Sequence, residues 1–471
     1  MLSGGTMVLS ALLLFPAETG FDVGGRFESR VGEAPTGLTQ NRDGVTVPAE
    51  QGQLLLIATP TLSLHYLTDV DEVRATSFTR ALWRPQPLPN ARPLFLETLE
   101  LNGSGRPGPR SRWGLNLRGS YGEEDYTSLS QQFVAQPTLP SALTVALVNA
   151  DGEASWRASR RTDLTLQVLG IYRRTVGTQT AVDSSAGTGT RAFVFPPQAT
   201  LSLAPGLRHR LSRETTVEAA VPVMDTDVSA TTQGAIETGR LNVFSVQPQL
   251  GIRRQLSPSH QLHAAAGVAY AVALRRSDQS QSWPPLLPLV QLDLTSYLRQ
   301  SRDIQWRSTL GAATAAFTDP VLGAEVLRGT VQARIDADVG PNWGVGALVI
   351  FATDITGPLR PIGAPAGQGP PALAPDETLI SAELPFHYRW PNRFLVELGG
   401  RFSQRAPHLR SPDFSWRPSG RELWLFLSFS TIAPAGRRPT AAVVNASRVN
   451  ASPTTEPTTT RPPAPAVPSP L

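Results

Sequence analysis

Histidine is the side chain best suited to moving protons near neutral pH, and the sequence holds six: His65, His209, His260, His263, His387 and His408. General acid–base work needs such a group preorganised with a carboxylate and a nucleophile. Only His408, with Asp413 nearby, falls in a long polar connection; the other five lie close to short turns. A lone His–Asp pair specifies no reaction, so no catalytic residue is assigned and no enzyme is expected. The histidine spacing suggests no metal cage. Cysteine is absent, which removes thiolate nucleophiles, disulfides, Cys-ligated zinc and a lipoprotein anchor. The glycine-rich stretch Gly363-Ala-Pro-Ala-Gly-Gln-Gly369 lacks the lysine of a phosphate-cradling loop. No cofactor and no nucleic-acid partner are expected.

A second kind of chemistry is electrostatic. Charged side chains alternate with apolar ones in Arg26, Glu28 and Arg30 against Phe27 and Val31, and in Arg112 and Arg118 against Trp113, Leu115 and Leu117. The same holds for Arg328, Arg334 and Asp336 against Val331 and Ile335, and for Glu397 and Arg401 against Val396, Leu398 and Phe402. With Gln291 and Asp293, these polar residues are expected to line the lumen of a barrel. They carry both signs. One reading is a wall of mutually paired charges; the other is a polar conduit. Lysine is absent, so all 42 basic residues are Arg. That reflects either coding bias or a preference for anionic substrates, since guanidinium pairs well with carboxylate and phosphate.

The elements that must position these residues read as strands. A period of two is the signature of a β-strand with unlike faces. Charged residues make up only 17%, Gly and Pro number 39 and 43, and the longest apolar run, Met7 to Pro16, is too short for a membrane-spanning helix. Long strand pairs are joined by short connections at Thr68 to Asp71, Ser159 to Arg161, Ser212 to Thr215, Ser257 to His260, Gln300 to Asp303, Gly340 to Asn342 and Pro391 to Asn392, with a looser one at Asn102 to Ser111. Between them lie longer segments at Gly32 to Gly52, Gly122 to Pro140, Gly177 to Thr190, Asp354 to Glu377 and Arg405 to Gly420. Short turns on one rim and long loops on the other are the pattern of outer-membrane barrels. The fold class is therefore all-β: a transmembrane antiparallel β-barrel of about 18 strands, with 16 as the alternative.

An even count puts both termini on the periplasmic side. The hairpins Leu207 to Ala219 and Ile252 to Ala264 resemble each other, as a degenerate repeat of roughly 40 to 50 residues would. Tyr66, Trp156, Tyr297, Trp306, Trp343, Tyr388 and Trp390 near short turns, and Trp83, Phe195, Phe244, Trp283 and Phe351 near long loops, suggest two interfacial girdles. Pro60, Pro205, Pro222, Pro248, Pro288 and Pro385 fall inside strand-like segments, so some strands must bend, bulge or start later.

Three regions are expected: residues 1–19 as a signal peptide, 20–433 as the barrel in the cell outer membrane, and 434–471 as a disordered Pro/Thr-rich periplasmic tail. Asn445-Ala-Ser and Asn450-Ala-Ser match a glycosylation sequon that means little in such a tail.

The run Ala58-Thr-Pro-Thr-Leu-Ser-Leu-His-Tyr66, with Glu72-Val-Arg-Ala75, Trp113-Gly-Leu-Asn-Leu117 and Gly122-Glu-Glu-Asp-Tyr126, resembles large outer-membrane barrels of myxobacteria and their relatives. Several of these are associated with exopolysaccharide export. The resemblance implies a translocation pore working with a short periplasmic Wza-type exporter, and outer-membrane lipid around it. It carries over no catalytic residue. A general or selective porin for small solutes is the alternative from the residues themselves, and a barrel enzyme the next.

Overall fold

A computed structural model describes residues 18–42, 45–68, 70–84, 93–125, 142–176, 180–182, 190–192, 197–229, 231–233, 236–238, 241–275, 286–299, 304–319, 324–355, 377–390, 394–407 and 420–431. The chain forms a closed antiparallel barrel of 18 strands. They are β1 (Glu18–Arg42), β2 (Val45–Leu67), β3 (Asp71–Trp83), β4 (Leu94–Gly108), β5 (Ser111–Asp125), β6 (Ala142–Arg157), β7 (Thr162–Thr175) and β8 (Gln198–Arg210). Then come β9 (Thr215–Ala220 and Val223–Val228), β10 (Leu241–Val246 and Gln249–Ser257), β11 (His260–Arg275), β12 (Leu287–Arg299) and β13 (Ile304–Asp319). The last five are β14 (Ala324–Val339), β15 (Trp343–Asp354), β16 (Glu377–Trp390), β17 (Phe394–Pro407) and β18 (Gly420–Thr431). Each strand pairs with its predecessor, and β18 returns to β1 from Arg26↔Ser430 to Glu33↔Leu423.

Alternation in sequence becomes alternation in exposure. Along β18, Leu423, Leu425, Leu427 and Phe429 are exposed, whereas Glu422, Trp424, Phe426, Ser428 and Ser430 between them are buried. In β14, Val331 and Ile335 are about half exposed while Gln332, Arg334 and Asp336 share the other face. A closed sheet has no edges left to cap, so its backbone groups are satisfied internally and its outer face can be uniformly apolar, as hydrocarbon requires. The barrel sits in the outer membrane.

Four of the short turns share one device. Thr68, Ser159, Ser212 and Ser257 each accept a backbone N–H from two or three residues ahead, for example Asp71 N to Thr68 Oγ1 at 2.8 Å and Thr215 N to Ser212 Oγ at 3.0 Å. Such hydroxyl-capped turns tie off a hairpin without a longer loop. Gly340 supplies a positive φ of 63° for another.

Several expectations need correction. Residues 32–42 and 45–52 are strand, not loop: β1 and β2 continue past the rim as a ribbon, in register from Glu18↔Leu67 to Arg42↔Val45 with an irregularity between Pro35 and Thr39. Backbone pairing tolerates the Gly, Pro and Asn that made the segment read as irregular. The connection expected to be loose at Asn102 to Ser111 is tight, with Gly108 opposite Ser111 and a turn at Pro109 and Arg110. In the segment expected as a loop at 177–190, Thr180–Val182 pairs with Thr190–Ala192, at its end and just beyond, as a small ribbon. Of the six prolines, Pro222 and Pro248 interrupt β9 and β10; Pro60, Pro205, Pro288 and Pro385 lie inside strands. The turns at 300–303 and 391–392, the pair His408 and Asp413, most of the expected signal peptide and the tail lie outside the described residues.

Candidate functional site

The face opposite the apolar one carries a network of ion pairs that crosses several strands. On β1, Arg26 Nη2 lies 3.0 Å from Glu28 Oε2, and Arg30 Nε also contacts Glu28, which is 5% exposed. Arg26 also reaches Glu397 of β17, Nη2 to Oε2 at 3.1 Å. Ser428 Oγ, on the strand between, donates to that same oxygen at 3.0 Å. Further along β17, Arg401 donates from Nε and Nη2 to Glu383 Oε2 of β16 at 3.1 and 2.9 Å. Period two sets this face on each strand; barrel closure brings β16, β17, β18 and β1 side by side.

A second network lies on β8 to β12. Glu218 is its hub: Arg208 Nε and Arg253 Nη2 each lie 3.5 Å from Oε1, and His263 Nε2 lies 3.7 Å from Oε2. The other ring nitrogen, Nδ1, lies 3.4 Å from Asp293 Oδ2, to which Gln291 Nε2 donates at 2.6 Å. On β14, Arg334 Nε donates to Asp336 Oδ2 at 2.5 Å. Arg118 stacks its guanidinium 5.6 Å from the Phe78 ring centroid, a cation–π contact. Arg328 is buried, and Arg112 is exposed near a turn. Arg26, Glu28, Arg30, Glu397 and Arg401 thus come together; Gln291 and Asp293 belong to the second network, and Arg112 and Arg118 stand in neither.

Reasoning from sequence missed the partners Glu383, Arg208, Glu218, Arg253 and His263. The last four lie inside the two hairpins that resemble each other, so the repeat marked them without revealing their role. Also missed was an apolar cluster of Leu55 and Trp424, both buried, with Ile57 and Leu82 packed against it. Its sequence signal is the unbroken run Leu423-Trp-Leu-Phe-Leu427, since a continuous apolar stretch marks a strand with both faces out of water. Two further His–carboxylate pairs stand near short-turn ends: His65 with Asp22 at 3.4 Å and His387 with Asp338 at 3.9 Å. Among the described residues no group of three or more His, Cys, Asp or Glu could hold a metal ion.

No family model and no curated protein matches the sequence. The barrel is similar in fold to solved outer-membrane proteins. The FrpB iron transporter from Neisseria meningitidis (F5-1 variant) is 9% identical over 86% of this chain and 66% of its own, with a TM-score of 0.47. The siderophore receptor PirA from Acinetobacter baumannii is 8% identical over 87% of this chain and 80% of its own, at 0.42. OpdQ from Pseudomonas aeruginosa is 8% identical over 88% and 97%, at 0.39. The chain spans just under two thirds of the FrpB length. At such identities and scores, what those proteins carry says nothing of what this one carries.

On the apolar face, Trp343 packs at 5.3 Å from Phe386 and 4.3 Å from Tyr388, and Tyr388 meets Trp390 edge-on at 5.9 Å. This aromatic cluster, at the short-turn ends of β15 and β16, suits the membrane interface, where amphipathic rings settle at headgroup level.

Proposed function

We propose that the protein is an outer-membrane pore whose polar inner face conducts solutes. One observation carries the reading: charged residues on that face meet partners of opposite sign, some across strands, as in the Arg26–Glu397 and Arg401–Glu383 pairs, so the wall is polar while much of its charge is paired. A barrel of this strand number encloses more space than its own side chains fill. The twelve polar residues singled out from the sequence, Arg26 to Arg401, would line that route. Transport needs no bond-making chemistry, and the reading assigns none.

Purified protein reconstituted into liposomes should admit small sugars in a swelling assay, at a rate that falls as solute size rises. Impermeable liposomes containing folded barrel would reject the pore.

The finer reading, in which the pore passes an exopolysaccharide handed over by a periplasmic exporter, is supported by the sequence resemblance alone. Deleting the gene should then remove polysaccharide from the surface while its synthesis continues. Normal surface polysaccharide in the mutant, together with small-solute permeation by the purified barrel, would leave the porin reading in its place.

A further inference from the structure

The short-turn rim carries its charge unevenly. The three consecutive hairpins joining β4 to β5, β6 to β7 and β8 to β9 end in residues 106–112, 157–163 and 208–214, and each of these stretches holds three arginines. All nine arginines are exposed. The same stretches hold only two acidic residues, Asp163 and Glu214. At the other described turns, residues 65–71, 255–261 and 338–344 hold no arginine at all. Pairing differs as sharply. Arg157 has Asp163 at 3.5 Å and Arg208 has Glu218 at 3.5 Å, but the remaining seven have no acidic partner among the described residues. The mid-wall arginines 26, 30 and 401, by contrast, are each held by carboxylates.

Position decides where this field points. Arg112 alternates with the outward Trp113 and Leu115, and Arg208 and Arg210 alternate with Leu207, so all three stand on the polar face at the mouth. Uncompensated charge of one sign at the mouth of a low-dielectric channel raises the local concentration of counter-ions. Neutralising Arg–carboxylate pairs would have served a wall that needed only wetting.

We propose that the short-turn mouth is an anion-collecting vestibule, and that the solutes this pore favours carry carboxylate or phosphate groups. The inference rests on the pore reading above. It names the charge class of the solute, which that reading leaves open.

The test is ion selectivity of the purified full chain in planar bilayers of phosphatidylcholine, read as the reversal potential under a potassium chloride gradient. At about 0.1 M salt, where the screening length is about 10 Å, chloride should be preferred over potassium, and the preference should shrink at about 1 M. The variant R110E/R160E/R161E/R213E should lower the chloride-to-potassium ratio roughly tenfold at low salt. If that variant fails to fold, R160Q/R213Q, confined to two exposed turns, should lower the ratio in the same direction by a smaller factor. Current without anion preference, or a preference that these substitutions leave unchanged, overturns the vestibule and leaves the pore standing. In that case, loss of thermal stability of the variants in anionic lipid alone would assign the arginines to phospholipid headgroups. Absence of any current from folded wild-type protein overturns the pore reading, and the vestibule with it.

Discussion

Arg26 on β1 and Glu397 on β17 are not on neighbouring strands, yet their side chains meet at 3.1 Å across the last strand of the barrel. The residues of β18 opposite them, Ser430 beside Arg26 and Ser428 beside Glu397, are small enough to let them pass over. The pair therefore spans the junction that turns an open sheet into a barrel. Both side chains are largely shielded, at 26% and 15% exposure. Among the described residues, removing Arg26 leaves Glu397 with the Ser428 hydroxyl alone, whereas removing Glu397 leaves Arg26 with Glu28.

R26A should lower the unfolding free energy by about 1–3 kcal/mol, less than a fully buried pair would lose, and E397A by less, since Arg26 keeps Glu28. In a double-mutant cycle the coupling should be about 0.5–3 kcal/mol. Urea titration of barrel refolded into lipid vesicles measures both. Strictly additive single losses would show that the two residues stabilise the barrel independently.

The same junction depends on a glycine. A Cβ at Gly32 would run into the Leu423 carbonyl and the Trp424 backbone, which nothing flexible can relieve. Gly32→Val should thus cost at least about 1–3 kcal/mol as overpacking, concentrated where β1 meets β18. Loss of the compact, heat-modifiable band on an unheated gel is the simplest measure. Gly52→Val, where a Cβ would meet nothing within 4 Å, serves as the control.

How much of this was legible in the sequence follows from the range of each signal. Facing is local: residues two apart share a side, so Arg26, Glu28 and Arg30 separate from Phe27 and Val31 without knowledge of the fold. Pairing across strands is not local. Arg26 finds Glu397 only because 18 strands close in one register, and no spacing in the chain announces it. Glu218 shows the same limit, since its partners Arg208, Arg253 and His263 lie on β8, β10 and β11. Residues 32–52 failed for another reason: composition reports side-chain preference, and that ribbon is held by backbone pairing.

Facing can be tested by moving a charge by one residue. Val331→Arg places a guanidinium on the apolar face in the middle of β14, where the cost should be about 2–4 kcal/mol if the site lies near the bilayer midplane. Gln332→Arg, on the opposite face beside Arg334 and Asp336, should cost well under about 1 kcal/mol. Folding free energies in bilayers separate the two. Equal costs would mean that the register of β14 is wrong by one residue, since a one-residue slip exchanges the faces.

Three prolines make a lateral weak line across β8 to β11. Val221 N donates to Pro205 O at 3.0 Å, Gln247 N to Pro222 O at 2.8 Å and Val268 N to Pro248 O at 3.2 Å. An antiparallel pair of this kind normally exchanges two bonds, and in each case the return bond is missing because proline has no N–H. Changing any of the three to Ala supplies the donor, worth about 0.5–1.5 kcal/mol net. It also frees the unfolded chain, which offsets about 0.4–1 kcal/mol. The two effects nearly cancel, so unfolding free energy should change by less than about 1 kcal/mol. Local opening responds differently, because it breaks the new bond without unfolding the chain. Amide exchange across residues 215–228 and 241–257 should therefore slow in P222A and P248A while global stability barely moves. Unchanged exchange in both variants would mean that these strands already hold the line closed by other contacts, and that the missing bonds have no bearing on how the wall opens.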